Sequence, residues 1–286
     1  MKSKDTNFSE ITINCNKKII TFNRPIVMGI LNIGPNSFYD GGLYSSPEKA
    51  VAHCGELLQA GADIIDIGAV SSKPGIALPS PADEAATLQP FLLAIRQKFP
   101  DAIISVDTCW ASVAEAAVAA GANIINDISG GQFDEAMFPT VAKFQVPYIL
   151  MHTRGLPSQM QQLCDYSDII EDLTLYFSQR LDTLYSLGVK DVWLDPGFGF
   201  AKTVEQNYFL LNHLDSLVSS FREPFLVGIS RKSMIYRTLG TTPDSALNGT
   251  SVLNTIALLK GAGILRVHDV AEAREVATLV SATLLS

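Results

Sequence analysis

Apolar residues along the chain gather in short β-branched runs, each followed by a polar or glycine-rich stretch and then by a longer segment with helical spacing. The runs at 26–31, 64–67, 103–106, 124–126, 148–151, 192–194, 225–229 and 264–267 predict eight strands alternating with helices. Ahead of them, strict alternation at 11–13 and 18–22 around the turn signal Asn14-Cys15-Asn16-Lys17 predicts a β-hairpin. Helix boundaries carry their own signals. Ser46-Pro47-Glu48 places a capping serine before a first-turn proline, and Val51, Cys54, Leu57 and Leu58 then share a face. Gly61 and Gly121 each close an alanine-rich helix just before a strand, where glycine accepts positive φ.

Eight β-then-α units in 286 residues suit a closed (β/α)8 barrel, whose usual length is ~250 residues. An open doubly wound sheet is the rival arrangement. It is disfavoured because G-x-G-x-x-G and G-x-x-x-x-G-K-[ST] are both absent and because every strand ends in polar residues, as the catalytic rim of a barrel requires. The expected organisation is therefore α/β: a single (β/α)8 barrel over 26–286, preceded by an N-terminal extension, 1–25, that carries the hairpin.

Composition narrows the function. A 47% hydrophobic and 17% charged chain has the material for a large core, and its apolar runs are too short to span a bilayer. A net charge of −8 without a long basic run argues against nucleic-acid or membrane partners. The polar start MKSKDTNFSE lacks a signal-peptide apolar block, so a cytoplasmic location is expected. Cys15, Cys54, Cys109 and Cys164 are far apart, with neither C-x-x-C nor histidine spacing, and read as buried thiols.

The strand ends bring chemistry to one rim: Asn32, the stretch from Asp66 to Pro74, Asp107, Asn126 with Asp127, His152, Asp195, Ser230-Arg231-Lys232-Ser233, and Arg266 with His268. One aspartate at a strand end is commonly a turn-former or cap, and His152 reads as a hydrogen-bonded core histidine. The set as a whole points to a site. Asp107, Asn126 and Asp195 offer acceptors and an amide to a flat heterocycle rich in N–H donors, or to a sugar. Arg266 sits inside the apolar run Ile-Leu-Arg-Val and needs a partner or ligand if buried. Arg266 and His268, two apart on a strand, face the same way and suit phosphate or pyrophosphate. Loops 32–42 and 71–75 are rich in glycine, serine and proline, with Phe38 and Tyr39 at the tip of the first, and suit closure over a substrate. Phe198 and Phe200, set between glycines, read as walls for a planar ligand rather than as core.

In order along the chain, these residues form MGILN (28–32), SFYDGG (37–42), DIGAVSSKPG (66–75), SVDT (105–108), INDISGG (125–131), MHTRGLPSQMQ (151–161), LDPGFGFAKT (194–203), GISRKS (228–233) and RVHDV (266–270). Over nearly all of 26–280 the sequence resembles the bacterial dihydropteroate synthases, pterin-binding barrels of folate synthesis. The resemblance implies that 6-hydroxymethyl-7,8-dihydropterin diphosphate and p-aminobenzoate are joined, by an SN1-like displacement, to 7,8-dihydropteroate with release of pyrophosphate. It implies that Asp107, Asn126, Asp195 and Lys232 hold the pterin. Asn32, Ser72, Lys73, Arg266 and His268 would hold the diphosphate and its Mg²⁺, with Asn32 a metal ligand. Phe38, Pro74, Phe200 and Ser233 would line the p-aminobenzoate site, Asp40 would belong to a lid, and the enzyme would be a homodimer. By the same resemblance Lys232 serves the pterin, although the two cations of GISRKS alone suggest phosphate. Ser230 reads as the N-cap of the following helix, and Arg231 as a brace for nearby carboxylates.

Departures from the family pattern fall at Gly34, Asn36 and Tyr39, at Ser72-Lys73 and around Asn248. Lysine at 73 keeps charge but loses the bidentate fork of arginine. The other functions compatible with the motifs are a non-catalytic pterin-binding paralogue and a methyltetrahydrofolate-dependent methyltransferase on a related barrel. Retention of Lys232, Arg266, His268, Phe38 and Asp40 favours the synthase, and a methyltransferase has no use for a leaving-group site.

Overall fold

In a computed structural model that describes residues 10–15, 18–34, 46–69 and 78–284, each predicted apolar run contains a strand. The hairpin pairs β1 (Ile11–Cys15) with β2 (Lys18–Phe22) antiparallel, from Ile11↔Phe22 to Cys15↔Lys18. The ladder thus runs through Asn14 and Cys15, assigned to the turn on sequence. Burial of Ile11, Ile13 and Cys15 carries the alternation one step further than the turn signal suggested.

The remaining strands are β3 (Ile26–Asn32), β4 (Ile64–Gly68), β5 (Ile103–Asp107), β6 (Ile124–Asp127), β7 (Tyr148–Met151), β8 (Val192–Asp195), β9 (Leu226–Val227) and β10 (Ile264–Val267). They lie parallel in the order β8-β7-β6-β5-β4-β3-β10-β9. A parallel bridge, Leu194↔Phe225, joins the two ends into a barrel, supported by Leu194 N–H donating to Pro224 O at 3.0 Å. β9 is shorter than the 225–229 run. The backbone turns after it, with Lys232 N–H on Ile229 O and Arg231 at φ 56°.

The outer ring is α1 (Pro47–Gln59), α2 (Pro81–Lys98), α3 (Ala111–Ala119), α4 (Met137–Phe144), α5 (Ile169–Ser186), α6 (Val204–Asn212), α7 (Leu214–Val218), α8 (Ser233–Thr238), α9 (Leu247–Leu259) and α10 (Val270–Leu284). Ser46 caps α1 as expected, accepting from Lys49 N–H, and Gly61 and Gly121 adopt φ 103° at the ends of α1 and α3. None of the described helices is long and apolar enough to cross a membrane.

Side-chain parity builds the site. Val27, Ile65, Ile67, Ile104, Val106, Leu150, Leu194, Val227 and Leu265 face outward, into the layer between barrel and helices. Their neighbours face the barrel axis. Near the strands' N-terminal ends the inward layer is apolar: Met28, Ile64, Ile103, Ile124, Ile149, Trp193, Leu226 and Ile264, closed from below by Ile11, Ile13 and Cys15 of the hairpin. Two residues further along, the inward face is polar on five strands, at Asp66, Ser105, Asn126, Asp195 and Arg266, with Asp107 above Ser105, while β3 and β7 present the apolar Ile30 and Met151 there. A strand has period two, so each strand that places an apolar residue in the floor presents the residue two positions on to the mouth.

The structure corrects three sequence assignments, the first of them by parity. Asp127 lies on the outward face of β6, where its carboxylate accepts from Tyr148 OH at 2.6 Å and from the N–H groups of Ser129 and Gly131. Phe198 is fully buried in the outer core and is not a ligand wall. Cys15, Cys54 and Cys109 are buried thiols, but Cys164 is partly exposed because it lies on the surface between a 3₁₀ turn and α5.

Trp193 is the largest side chain of the floor. Trp193→Ala is expected to destabilise the protein by about 3–5 kcal/mol, read from the urea midpoint. A loss below ~1 kcal/mol would mean that the floor is not a packed layer.

Candidate active site

Arg266 is a cation on the inward face of β10, and two carboxylates meet it. Its Nε donates to Asp66 Oδ2 at 2.7 Å and its Nη2 to Asp107 Oδ2 at 3.0 Å. Asp66 is 0% exposed, and its Oδ2 also accepts from Asn126 Nδ2 at 3.1 Å. Four side chains from four strands thus form one network. Burial pushes the Asp107 carboxyl up from its ordinary range, and the Arg266 guanidinium opposes that rise. Asp66 Oδ1 and Ser105 Oγ, on residues paired across β4 and β5, are buried with no hydrogen-bond partner among the described residues. The layer therefore keeps hydrogen-bonding capacity beyond what its own members use.

Asp195 ends β8, and its Oδ1 accepts from Gly197 N–H at 2.7 Å. Burial raises its carboxyl, while Lys232, the Gly197 N–H, Arg266 and Lys202 act to lower it. Lys232 Nζ donates to Phe198 O and stands 4.6 Å from the centre of the Phe200 ring. Burial lowers the Lys232 ammonium to about 8, opposed by Asp195.

His268 follows β10. Ser230 Oγ lies 3.0 Å from His268 Nδ1 and accepts from the His268 backbone N–H at 3.2 Å. The hydroxyl, with one proton and two lone pairs, can donate to Nδ1 while accepting that N–H, an arrangement that leaves the ring proton on Nε2. Burial, then Arg266 and Arg231, lower its pKa to about 3, so it is a neutral donor at physiological pH. Ser230 is therefore not the helix cap expected from sequence. Lys232 occupies that position and makes no side-chain cap bond, and Ser233 is the first residue of α8. Arg231 braces a carboxylate, pairing with both oxygens of Asp269 at 3.0 and 2.5 Å.

Asn32 ends β3. A methyl group added to Gly68 would stand 3.7 Å from Asn32 Oδ1 and 3.9 Å from Asp107 Oδ2, so both side chains lean over the bare Gly68 backbone. The chain leaves β3 and β4 side by side, with Ile33 N–H on Gly68 O at 3.0 Å. Phe38, Asp40, Ser72, Lys73 and Pro74, like Asn36, Tyr39 and the lid and loop expectations attached to them, lie outside the described residues. His152 is the buried, hydrogen-bonded core histidine anticipated from sequence, 3.0 Å from Lys202 Nζ.

Residues 28–268 match the family model described as pterin binding enzyme. Among characterised relatives, the dihydropteroate synthase of Synechocystis is 44% identical over 250 residues, 86% of each chain. That of Escherichia coli K12 is 40% identical over 267 residues, 93% of this chain and 94% of its own. The chain belongs to the dihydropteroate synthase family. The fold agrees with solved dihydropteroate synthases. The Yersinia pestis enzyme in a sulfonamide drug complex superposes with a TM-score of 0.92 at 38% identity, covering 96% of this chain and 100% of that one. The Xanthomonas albilineans enzyme with 4-aminobenzoic acid gives 0.88 at 34%, covering 96% and 98%.

Within this synthase fold, two residues escaped the sequence reading of the site. Asp66 was seen only as the start of a loop, yet it interrupts the apolar run Ile64-Ile65-Asp66-Ile67 just as Arg266 interrupts its own. Applying the buried-charge argument to both strands would have paired them. Lys202 had no comparable signal, because its surroundings form only when the 195–202 loop folds back on β7.

Arg266→Met is expected to destabilise the protein by about 3–5 kcal/mol at pH 8, since breaking a buried pair strands its partners. The loss should be smaller at pH 5. Without Arg266 the Asp107 pKa rises further above its unfolded value, and a raised carboxyl costs stability above the unfolded pKa, a cost that fades as protonation sets in. Urea midpoints at the two pH values test this. An equal loss at both would show that the triad does not hold charge.

Proposed function

We propose that this chain catalyses the dihydropteroate synthase reaction, in which 6-hydroxymethyl-7,8-dihydropterin diphosphate and p-aminobenzoate give 7,8-dihydropteroate and pyrophosphate. The observation that carries this reading is the inward polar layer, where the acceptors Asp107, Asn126 and Asp195 adjoin the cations Lys232 and Arg266 and the neutral donor His268.

In this reading the pterin lies flat on the apolar floor, its N–H groups on the Asp107, Asn126 and Asp195 acceptors and its carbonyl side toward Lys232. The diphosphate points out of the barrel to Arg266, whose Nε remains on Asp66, and to His268 Nε2–H. Ser72 and Lys73 complete that subsite. The C–O bond to the diphosphate breaks first, its electron pair leaving with pyrophosphate, and the exocyclic methylene becomes a cation delocalised into the dihydropterin. Asp107 and Asp195 are preorganised negative charges beside that cation. The amine nitrogen of p-aminobenzoate then forms the C–N bond and releases its proton to solvent. A neutral arylamine is already a nucleophile, so positioning rather than a strong base supplies the rate. Phe38, Pro74, Phe200 and Ser233 form the p-aminobenzoate side, the Ser233 N–H serving its carboxylate, and Asp40 belongs to the lid.

Mg²⁺ suits the donors present. Magnesium usually takes one or two protein carboxylates plus substrate phosphates, and Asn32 Oδ1 offers a hard amide oxygen at the rim, leaning over Gly68 with the Asp107 carboxylate. When bound, the ion would neutralise charge on the departing pyrophosphate. For the assembly we infer a homodimer, supported by exposed Val252 and Leu259, seven residues apart on one face of α9.

Purified protein given dihydropterin diphosphate, Mg²⁺ and p-aminobenzoate should release pyrophosphate and form dihydropteroate, followed by chromatography. Lys232→Ala and Arg266→Ala should each lower kcat/KM by about 10²–10³. The wild-type kcat/KM for the pterin substrate should fall above pH about 8 as Lys232 loses its proton, the groups facing it being Asp195, Arg266 and Asp107. Tight pterin binding without product would refute the synthase and favour the non-catalytic paralogue.

A further inference from the structure

The loop after β8 is held by two lysines. Lys202, 3% exposed, reaches Gly197 O at 3.0 Å, Phe200 O at 3.1 Å and His152 Nδ1 at 3.0 Å. Lys232 takes Phe198 O, the carbonyl between those two. Gln161 Nε2 takes Gly199 O at 3.2 Å, and Tyr166 OH takes Ala201 O at 3.0 Å. Every carbonyl from 197 to 201 thus has a side-chain donor, in a loop with no ladder of its own.

Lys202 has no carboxylate at ion-pair distance among the described residues. Burial lowers the Lys202 ammonium to about 7, opposed by Asp195, and in its protonated form its three N–H donors match these three acceptors. Burial keeps the His152 imidazole neutral, and toward a protonated Lys202 its Nδ1 is the acceptor, which leaves the ring proton on Nε2. The His152 main chain is tied to the same loop, since its N–H donates to Asp195 O at 2.9 Å. Its carbonyl lies against Gly197, which has φ 70°, and a methyl group there would be 2.0 Å from that oxygen. The loop is thereby fixed to β7 at close range, with a lysine in the seam.

We propose that Lys202, with His152 as its acceptor, is a positioning residue of the synthase. It fixes the 195–200 loop so that Asp195 meets the pterin while Phe200 meets the p-aminobenzoate ring. The inference rests on the synthase reading, and it touches both substrates because one short loop carries a residue for each. Lys202 acts through the loop rather than on the reacting atoms. A burial-filling lysine without this role would affect stability alone.

The test is steady-state kinetics of Lys202→Met in the full-length chain, beside thermal melting. Methionine keeps the length of the side chain and removes the three donors. We expect KM for p-aminobenzoate to rise about tenfold and KM for dihydropterin diphosphate to rise several-fold, with kcat changed less than threefold. A lower melting temperature with both KM values unchanged would overturn the proposal. If Lys202→Met does not fold, His152→Gln, which keeps the lysine and both carbonyls, must raise KM for p-aminobenzoate at least threefold, and an unchanged KM there would overturn it equally. Absence of dihydropteroate formation by the wild-type chain would instead count against the synthase reading, so the two failures are distinguishable.

Discussion

A guanidinium inside a barrel has to be paired, and the way this one is paired organises the mouth of the molecule. Arg266 spends two nitrogens on Asp66 and Asp107, which fixes the plane of the guanidinium and the direction of Asp107. Asp66 passes the constraint to Asn126 through the same oxygen. Removing any member would strand a buried charge or dipole, a cost of several kcal/mol. The arrangement is therefore set before a substrate arrives, as preorganised electrostatic catalysis requires.

The rest of the fold can be understood as what makes such a layer affordable. The apolar floor and the hairpin below it close the barrel at its N-terminal end, so substrate can enter only at the end where the strands stop. Two-residue periodicity then delivers Asp66, Asn126, Asp195 and Arg266 to one level. The loops hold what the strands cannot: Ser230 orients His268, Arg231 is anchored on Asp269 at a left-handed backbone position, and the carbonyls from 197 to 201 are shared among Lys202, Lys232, Gln161 and Tyr166. Of the three non-glycine residues at positive φ among those described, Gln145 (53°) closes α4, whereas Ala201 (47°) and Arg231 (56°) border the site, where local strain is tolerated because the surroundings over-determine it.

Much of this was legible in the sequence. Strand positions followed from β-branched runs, and the barrel followed from their number and polar ends. Asp107, Asn126, Asp195, Lys232, Arg266 and His268 were each named, because a charged or amide side chain ending an apolar run has few bland explanations when it recurs on strand after strand. What was not legible depended on direction rather than identity. Asp127 adjoins Asn126 in the chain yet faces the other side of the sheet. Ser230 resembles a cap but bonds to His268, just past the end of β10, and Phe198 resembles a ligand wall but fills the core. Lys202 acquires its partners only through a long-range fold of its loop, which no local pattern encodes.

The most direct measurement is a crystal structure with 6-hydroxymethyl-7,8-dihydropterin diphosphate bound. The pterin N–H groups should lie within hydrogen-bond distance of Asp107, Asn126 and Asp195, and the diphosphate should contact Arg266 while its Nε stays on Asp66. A pterin seated away from that layer, or a diphosphate bound without displacement or use of any Arg266 nitrogen, would contradict the central role given to the triad.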